Sequence, residues 1–471
     1  MVGRIVETEE LNRLFESTES EFVAVYGRRR VGKTYLIRET FDGRFSFLHT
    51  GLPNATKKQQ LSYFFKSLKE SGCAEKRCPA NWFKAFDMLR QVIEAKQAGR
   101  KVIFIDELPW LDTLRSDFLM ALEAFWNEWA SARKDILFIV CGSASSWMIK
   151  KLFRNRGGLH NRVTARILLQ PFTLRECEQY AKERGVELTR KDIAECYMAI
   201  GGIPYYWRHI VRGYSIAQDF NRMFFSESAP LKNEFTELYS SLFRNAPIYM
   251  KIVGVLARKK IGMTRGEIAD TTGITKSGQL SDALDTLSES GFIRSYRVYG
   301  KTKRDRIYQL IDNFTLFHFR FLDGATTDTS FWTDTISSPQ QSAWRGLAFE
   351  RLCLQHSSQM RKVLGIAGVH TETYAWRHRA DETYPQGAQI DLLLDRADNV
   401  INVCEMKYAK GRYLLDKDTL EGLEEKAEVF RAVSKTRKAV HLTMVTSSGL
   451  VRNAYANQIQ SEVTLDDLFV E

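Results

Sequence analysis

Between Phe22 and Thr34 the chain reads FVAVYGRRRVGKT, and this stretch limits the possible folds more than any other. The residues before Gly27 are apolar or aromatic and read as a buried strand. Gly27 and Gly32 bracket four residues, and Lys33 and Thr34 follow, giving G-x-x-x-x-G-K-T. In this pattern glycines let backbone N–H groups turn toward a phosphate. The lysine reaches the β- and γ-phosphates, and the threonine hydroxyl ligates Mg2+. Tyr35 to Thr40 continues as a helix whose N-terminus adds partial positive charge. A plain glycine turn with an exposed lysine would not need a strand before it, a helix after it and every motif position filled. A nucleoside triphosphate site is expected here, with ATP and Mg2+ as its occupants.

A chain of 471 residues is too long for one core, and length alone suggests about three domains. The formal net charge of +11 favours a polyanionic partner, most simply nucleic acid, without establishing one. The seven cysteines are scattered; Cys73 and Cys78 have no second Cys or His pair beside them, so ordinary thiols in a reducing compartment are expected. The opening MVGRIVETEE is charged too early for a secretory signal, and no apolar run is long enough for a bilayer. The expected address is cytoplasmic.

Within the first two hundred residues, Leu11, Leu14 and Phe15 share one face of a short helix. Lys101 to Glu107, KVIFIDE, is an apolar run ending in two carboxylates, the shape of a Walker B strand. There Asp106 would hold Mg2+ through water and Glu107 would orient the attacking water. A second buried strand, Ile136 to Cys141, leads to Ser143. This serine reads either as a reporter on the γ-phosphate or as an N-cap for a helix over Ser146–Leu152. Arg154, Arg156, Arg162 and Arg166 precede a last strand, Ile167–Leu169, and an arginine here could stabilise transition-state charge in cis or from a neighbouring subunit. Strands alternating with helices predict a parallel sheet with the nucleotide at its carboxyl edge.

The segments VGRIVETEEL, GRRRVGKT, VIFIDELPWL, VCGSASSW, LHNRVTARILLQPF and GGIPYYW fall in the order seen in archaeal-type AAA+/STAND ATPases, which this chain resembles from Val2 to Trp207. The resemblance implies that Gly3 and Arg4 lie near the base. It implies that Gly202, Ile203 and Pro204 form a G-x-P element closing the site from a helical lid. It also matches Arg162 to a recurrent G-R position, with Asn161 in place of the glycine. The expected nucleotide-binding set is Gly27, Gly32, Lys33, Thr34, Asp106, Ser143, Arg162 and Pro204, with Thr34 and Asp106 on the metal and Glu107 catalytic.

Beyond Pro247 the pattern changes. A helix over Ile248–Arg258 is followed by Thr264 and Glu267 as a capping box, Gly273 as a turn, and a second helix over Lys276–Ser290. Phe292–Tyr299 and Arg306–Leu310 alternate as two strands joined by a basic loop. This is the layout of a winged helix-turn-helix. Lys276, Ser277 and Gln279 would begin the recognition helix, and Arg294, Arg297, Lys301, Lys303, Arg304 and Arg306 would decorate the wing and meet phosphates. The same layout also serves as a lid or a protein-docking surface, and that reading stays open.

After a Thr-, Ser- and Asp-rich stretch over Gly324–Gln341, a helix over Trp344–His356 carries Glu350. Two strands follow, Ala388–Leu394 and Val400–Tyr408. Glu405 and Lys407 are two apart, so both face one side, and Asp391 lies on the neighbouring strand. Asp391, Glu405 and Glu350 offer hard oxygens for Mg2+ or Mn2+. Such an ion activates water against a phosphodiester, and Lys407 would position that water or neutralise the transition state. The segment resembles the PD-(D/E)-x-K nuclease superfamily, with Ile390 at the leading position. That resemblance implies catalytic roles for Asp391, Glu405 and Lys407.

The expected architecture is an α/β multidomain protein. A P-loop parallel-sheet ATPase core spans 1–172, a helical lid 173–240, a winged helix-turn-helix 241–323, a linker 324–341 and a restriction-endonuclease-like α/β domain 342–471. The expected function is ATP-controlled, metal-dependent cleavage of nucleic acid, most simply DNA, in a possible homo-oligomer without a membrane. The rival is a nucleotide-gated switch that binds DNA or protein and cuts nothing.

Overall fold

A computed structural model describes residues 1–143, 145–154, 161–243, 245–275, 278–300, 306–324, 328–385 and 387–470. The chain divides into two compact units, Met1–Pro171 with Leu238–Arg244, and Phe172–Glu237 with Asn245–Glu471. No helix among the described residues is long and apolar enough to cross a membrane.

The first unit holds a five-stranded parallel sheet. Its strands are β1 (Glu21–Tyr26), β2 (Phe45–Thr50), β3 (Lys101–Asp106), β4 (Ile136–Gly142) and β5 (Ala165–Leu168), in the order β2-β3-β4-β1-β5. Every residue of β3 and β4 is buried. A parallel sheet covered on both faces requires this, and it makes such strands read as unbroken apolar runs. Helix α1 (Ile5–Phe15) precedes β1, and α2 (Lys33–Thr40), α3 (Lys57–Glu70), α4 (Trp82–Glu94), α5 (Phe118–Ala124) and the short α6 (Ser145–Trp147) connect the strands. Phe64, Trp82, Phe118 and Phe138 anchor the core beneath α3 and α4. A helix expected over Ser146–Leu152 is instead α6 followed by a π-helical stretch, Met148–Phe153.

The second unit begins with lid-like helices α7 (Leu174–Glu183), α8 (Arg190–Ile200), α9 (Pro204–Trp207) and α10 (Ile216–Phe220). Thr173 and Thr189 close α7 and α8 with capping boxes, each worth roughly 1 kcal/mol to a helix start. Helix α11 (Glu234–Leu242) runs across the division, its last residues belonging to the first unit. A module with the element order expected of a winged helix follows, with α12 (Ala246–Ala257), α13 (Arg265–Thr272) and α14 (Gly278–Glu289). Its antiparallel sheet has β6 (Met263–Thr264), β7 (Ile293–Arg297) and β8 (Arg306–Leu310) in the order β6-β8-β7. Thr264 and Glu267 form their capping box on α13, and Gly273 ends that helix in the left-handed conformation.

Helices α15 (Asn313–Phe317), α16 (Phe331–Asp334), α17 (Pro339–Gln355) and α18 (Ser357–Val363) lead to the last sheet. The stretch expected as a linker, 324–341, differs from that expectation. It contains α16 and the start of α17, and Trp332 is fully buried against Phe317, Phe321 and Trp344. The aromatic payload of Trp332 outweighs the loop-like composition around it. The last sheet contains β9 (Thr371–His378), β10 (Ala388–Arg396), β11 (Val400–Lys407), β12 (Ala439–Thr446) and β13 (Ser461–Thr464), ordered β13-β12-β11-β10-β9. Strands β9, β10 and β11 pair antiparallel, while β11, β12 and β13 run parallel. Helix α19 (Lys417–Ser434) packs on this sheet through Leu420, Leu423 and Phe430. The residues that continue β7, the first strand of the hairpin, join this sheet as well. Val298 bridges Ala375 of β9, and Tyr299 donates its N–H to the Ala375 carbonyl at 3.2 Å.

Candidate functional site

Strand β1 feeds the loop that turns into α2. Gly27, Arg30 and Gly32 take positive φ values of 139°, 68° and 95°. Such a run turns successive N–H groups into one concave, anion-accepting nest. At Gly27 a Cβ would stand 2.4 Å from the Leu169 carbonyl oxygen, so only glycine fits. Lys33 is 5% exposed, and its Nζ donates to the carbonyls of Gly27 and Arg28 at 3.0 and 2.8 Å. The ammonium is therefore held inside the curve of the loop.

Strand β4 lies between β1 and β3, so the carboxyl ends of all three strands open onto one edge. There Thr34 Oγ1 donates to Asp106 Oδ2 at 2.8 Å. A hydroxyl from α2 and a carboxylate from β3 meet at one point, which fits Mg2+ held by hard oxygens. Glu107 sits in the left-handed region at φ 48°. Its carboxylate accepts from Ser143 Oγ at 2.6 Å and from Ser143 N–H at 3.3 Å. Ser143, just past β4, thus holds Glu107, and neither sequence reading of this serine anticipated that contact. Arg4, 6% exposed, donates to the Val31 carbonyl at 3.2 Å and so ties the N-terminal turn to the phosphate loop.

Residues 1–210 match the family described as an ATPase domain predominantly from Archaea. An uncharacterized protein of Methanocaldococcus jannaschii is 24% identical over 452 residues, 92% of this chain and 95% of its own length. A Walker-type ATPase of Pyrococcus abyssi is similar at 16% identity and a TM-score of 0.48, over 68% of this chain and 96% of that one. The ORC2 protein of Aeropyrum pernix is similar at 15% identity and a TM-score of 0.39, over 71% and 95%.

One residue expected at the nucleotide stands elsewhere. Arg162 is exposed and precedes Thr164, whose hydroxyl accepts from the N–H of Phe22 at the start of β1. Because β5 runs parallel to β1, that is the end of the sheet remote from the phosphate loop. Pro204 belongs to the second unit, where it opens α9. Gly202 there accepts from the Phe172 N–H at 2.7 Å, and a Cβ on it would lie 1.9 Å from the Phe172 oxygen. Arg154 and Arg166 are among the described residues, whereas Arg156 lies outside them.

In the C-terminal sheet, β10 pairs with β11 from Leu392 opposite Cys404 to Asp395 opposite Ile401, and Asp391 stands one residue before that paired run. The pairing of β10 with β9 shifts between Ile390 and Leu393. Such a bulge re-aims the side chain at its centre, and here that side chain is Asp391. Lys260 Nζ, just after α12, lies 2.8 Å from Glu350 Oε2, 3.0 Å from Glu350 Oε1 and 3.1 Å from Asp391 Oδ2. Gln389 donates to the other Asp391 oxygen at 2.6 Å. Glu405 instead takes Lys407 Nζ at 2.9 Å and Lys426 Nζ of α19 at 3.1 Å.

The expected three-carboxylate metal set is therefore not assembled. Among the described residues no three His, Cys, Asp or Glu side chains form a metal-holding group. The physical reason is that lysines divide the carboxylates into Glu350 with Asp391 and Glu405 alone. Burial raises the Glu350 pKa, the Asp391 charge raises it further, and Lys260 opposes both. Burial alone would lower the Lys260 pKa, but Asp391 and Glu350 outweigh it and hold the amine protonated. Glu350 and Asp391 nonetheless converge on one cation, the ammonium of Lys260. Two carboxylates on one point fit Mg2+ or Mn2+ completed by water and substrate oxygens.

Of the expected nucleic-acid contacts, Gln279 is exposed in the first turn of α14 and Arg297 is exposed at the end of β7. Lys276, Ser277, Lys301, Lys303 and Arg304 lie outside the described residues. The winged-helix strand also has a role beyond a free wing. Tyr299 packs edge-on against Tyr374 of β9 and Phe430 of α19, with ring centroids 5.4 and 5.1 Å apart. Sequence reasoning missed Lys260, Gln389 and Lys426. Lys426 had a weak signal, a lysine on the helix face carrying Leu423 and Phe430. The other two become relevant only through contacts distant in sequence.

Proposed function

We propose that this ATPase controls a metal-dependent phosphodiesterase in its C-terminal α/β domain, acting on nucleic acid and most simply on DNA. The observation that carries the reading is the convergence of Glu350 and Asp391, from a helix and a bulged strand, on one cation. On this reading those two carboxylates hold Mg2+ or Mn2+. A bound ion of this kind lowers the pKa of its water and neutralises charge on the scissile phosphate. Gln389 fixes the Asp391 carboxylate. Glu405 receives a proton from the attacking water, and Lys407 beside it offsets the negative charge that develops on the phosphate.

In the ATPase domain, Lys33 and the loop N–H groups bind the β- and γ-phosphates, and Thr34 with Asp106 holds Mg2+. Glu107, aimed by Ser143, orients the attacking water. Gly202–Pro204 would close the nucleotide site from the lid and pass its state on. Arg162, exposed in the turn before β5, is assigned to the nucleotide of a neighbouring copy in a homo-oligomer. The exposed Gln279 and Arg297 and the net charge of +11 suit contacts to DNA phosphates.

A second reading has its own support. Glu350, Asp391 and Glu405 each already have an ammonium partner, as a structural ion network would. The chain would then be a nucleotide-gated binding switch of the STAND kind. Cleavage assays separate the two readings. Single-stranded, duplex and branched DNA are incubated with Mg2+ or Mn2+, with and without ATP. Cutting that disappears in Asp391→Ala and Lys407→Ala is expected, and no cutting of any substrate under any of these conditions overturns the nuclease reading.

A further inference from the structure

Beside the Glu350–Asp391 pair, within the second unit, the winged-helix sheet and the C-terminal sheet enclose a cleft. Its enclosed room is small, about 30 Å³, and its mouth is open to solvent, where a larger group would lie. Arg294 of β7 and Arg351 of α17 line it together with Lys260, Gln389 and Arg377. Arg351 donates to the Leu310 carbonyl at 2.7 Å, and Arg294 donates to Gln309 Oε1 at 2.7 Å. Both partners are neutral. Neither guanidinium has a carboxylate within ion-pair distance among the described residues.

Two like charges in a half-buried wall, bonded only to neutral acceptors, are costly to keep. A guanidinium still offers paired N–H donors in a planar fork that matches phosphate oxygens. Glu350 and Asp391 act on these charges from nearby, but their oxygens are bonded to Lys260 and Gln389, which leaves both forks without a carboxylate in hydrogen-bond reach among the described residues. We propose that this cleft binds the phosphodiester group of a nucleic acid through Arg294 and Arg351, so that the winged-helix hairpin supplies part of the cleavage site. This rests on the phosphodiesterase reading above and names a substrate-positioning wall for it. Arg294 and Glu350 approach the cleft from different modules, and the bridge from Val298 to Ala375 holds those modules in register. A wing in this position binds backbone phosphate without reading base sequence.

The test uses the full chain with Lys33→Ala, which silences the phosphate loop, in EDTA. Inorganic phosphate is the probe, followed by calorimetry, with an oligothymidylate as competitor. Phosphate is expected to bind and to be displaced by the oligonucleotide. Arg294→Gln and Arg351→Gln should each weaken it about tenfold or more, the loss of a charge-assisted fork. Arg431→Gln, on an exposed face of α19, should leave it unchanged. If a glutamine variant does not fold, Arg294→Lys and Arg351→Lys keep the charge without the fork and should still weaken binding severalfold. Absent phosphate binding, or unchanged affinity in folded variants at both arginines, overturns the inference. So does phosphate that the oligonucleotide does not displace. Mn2+-dependent cleavage that survives both arginine changes would leave the nuclease reading standing and remove this one. Phosphate binding lost with the arginines, in a chain that never cuts, would do the reverse.

Discussion

Lys260 is the side chain whose removal tests the C-terminal site most directly. Its ammonium lies 2.8 Å from Glu350 and 3.1 Å from Asp391. At an effective dielectric of about 20, each such contact is worth roughly 5 kcal/mol of bare attraction. Lys260 is more than a third exposed, so solvent screening reduces the usable part to about 1–3 kcal/mol. A divalent ion binding at Glu350 and Asp391 must displace that ammonium and forgo this energy. Lys260→Met should therefore tighten Mn2+ binding by about 10- to 100-fold, at 1.4 kcal/mol per decade. The assay is calorimetric titration of Mn2+ into nucleotide-free protein, with Lys260→Met/Asp391→Ala as the paired control. The double variant should lose the gain. A folded Lys260→Met protein with parental Mn2+ affinity refutes the argument, because the ammonium would then not occupy the ion's place.

Three further outcomes are expected. Lys33→Ala should abolish ATP binding, whereas Glu107→Gln should keep it and slow hydrolysis by about 10²-fold or more; equal hydrolysis in Glu107→Gln would remove that residue from the reaction. Gly202→Ala places a Cβ 1.9 Å from the Phe172 oxygen and should destabilise the second unit by about 1–3 kcal/mol or more, read as a lowered thermal midpoint; an unchanged midpoint contradicts the close approach. His49 is 1% exposed, and burial lowers its pKa to about 3. It stays neutral in the fold while the unfolded chain protonates near pH 6.5. Its contribution is thus complete above that pH and is lost as pH falls toward 3, at up to about 1.4 kcal/mol per pH unit. Urea midpoints at pH 7.5 and 5.5 should differ less in His49→Gln than in the parent, and an equal difference would show that His49 does not carry this loss.

The loop and strand ends of the candidate nucleotide site were legible because its parts are local. The phosphate loop, the Asp106–Glu107 pair and Ser143 each follow directly on a buried strand, and parallel strands covered on both faces are the easiest to read. Arg162 illustrates the limit. A motif position places it near the nucleotide, but the direction of β5 carries it to the other end of the sheet. The acidic pair Glu350 and Asp391 was found by residue type, yet its counter-ion Lys260 was not. Nothing around a lysine just past a helix end signals a partner so far along the chain. Trp332 was hidden by composition, since Thr, Ser and Asp around it resemble a linker. The π-helical stretches Met148–Phe153 and His318–Leu322 shift the spacing that helical periodicity relies on.

The bridge from Val298 to Ala375 has a consequence for how the chain can be dissected. Strand β9 ends its sheet, and a bare terminal strand exposes a row of unpaired N–H and C=O groups that recruit other chains. In this protein the winged-helix strand and Tyr299 cover part of that row. A fragment cut at the start of α17 would lose the cover and present β9 to its own copies. Such a fragment should form β-rich aggregates, whereas one beginning before α12 should stay dispersed. The winged-helix module thus acts as a guard against self-association as well as a neighbour of the acidic site.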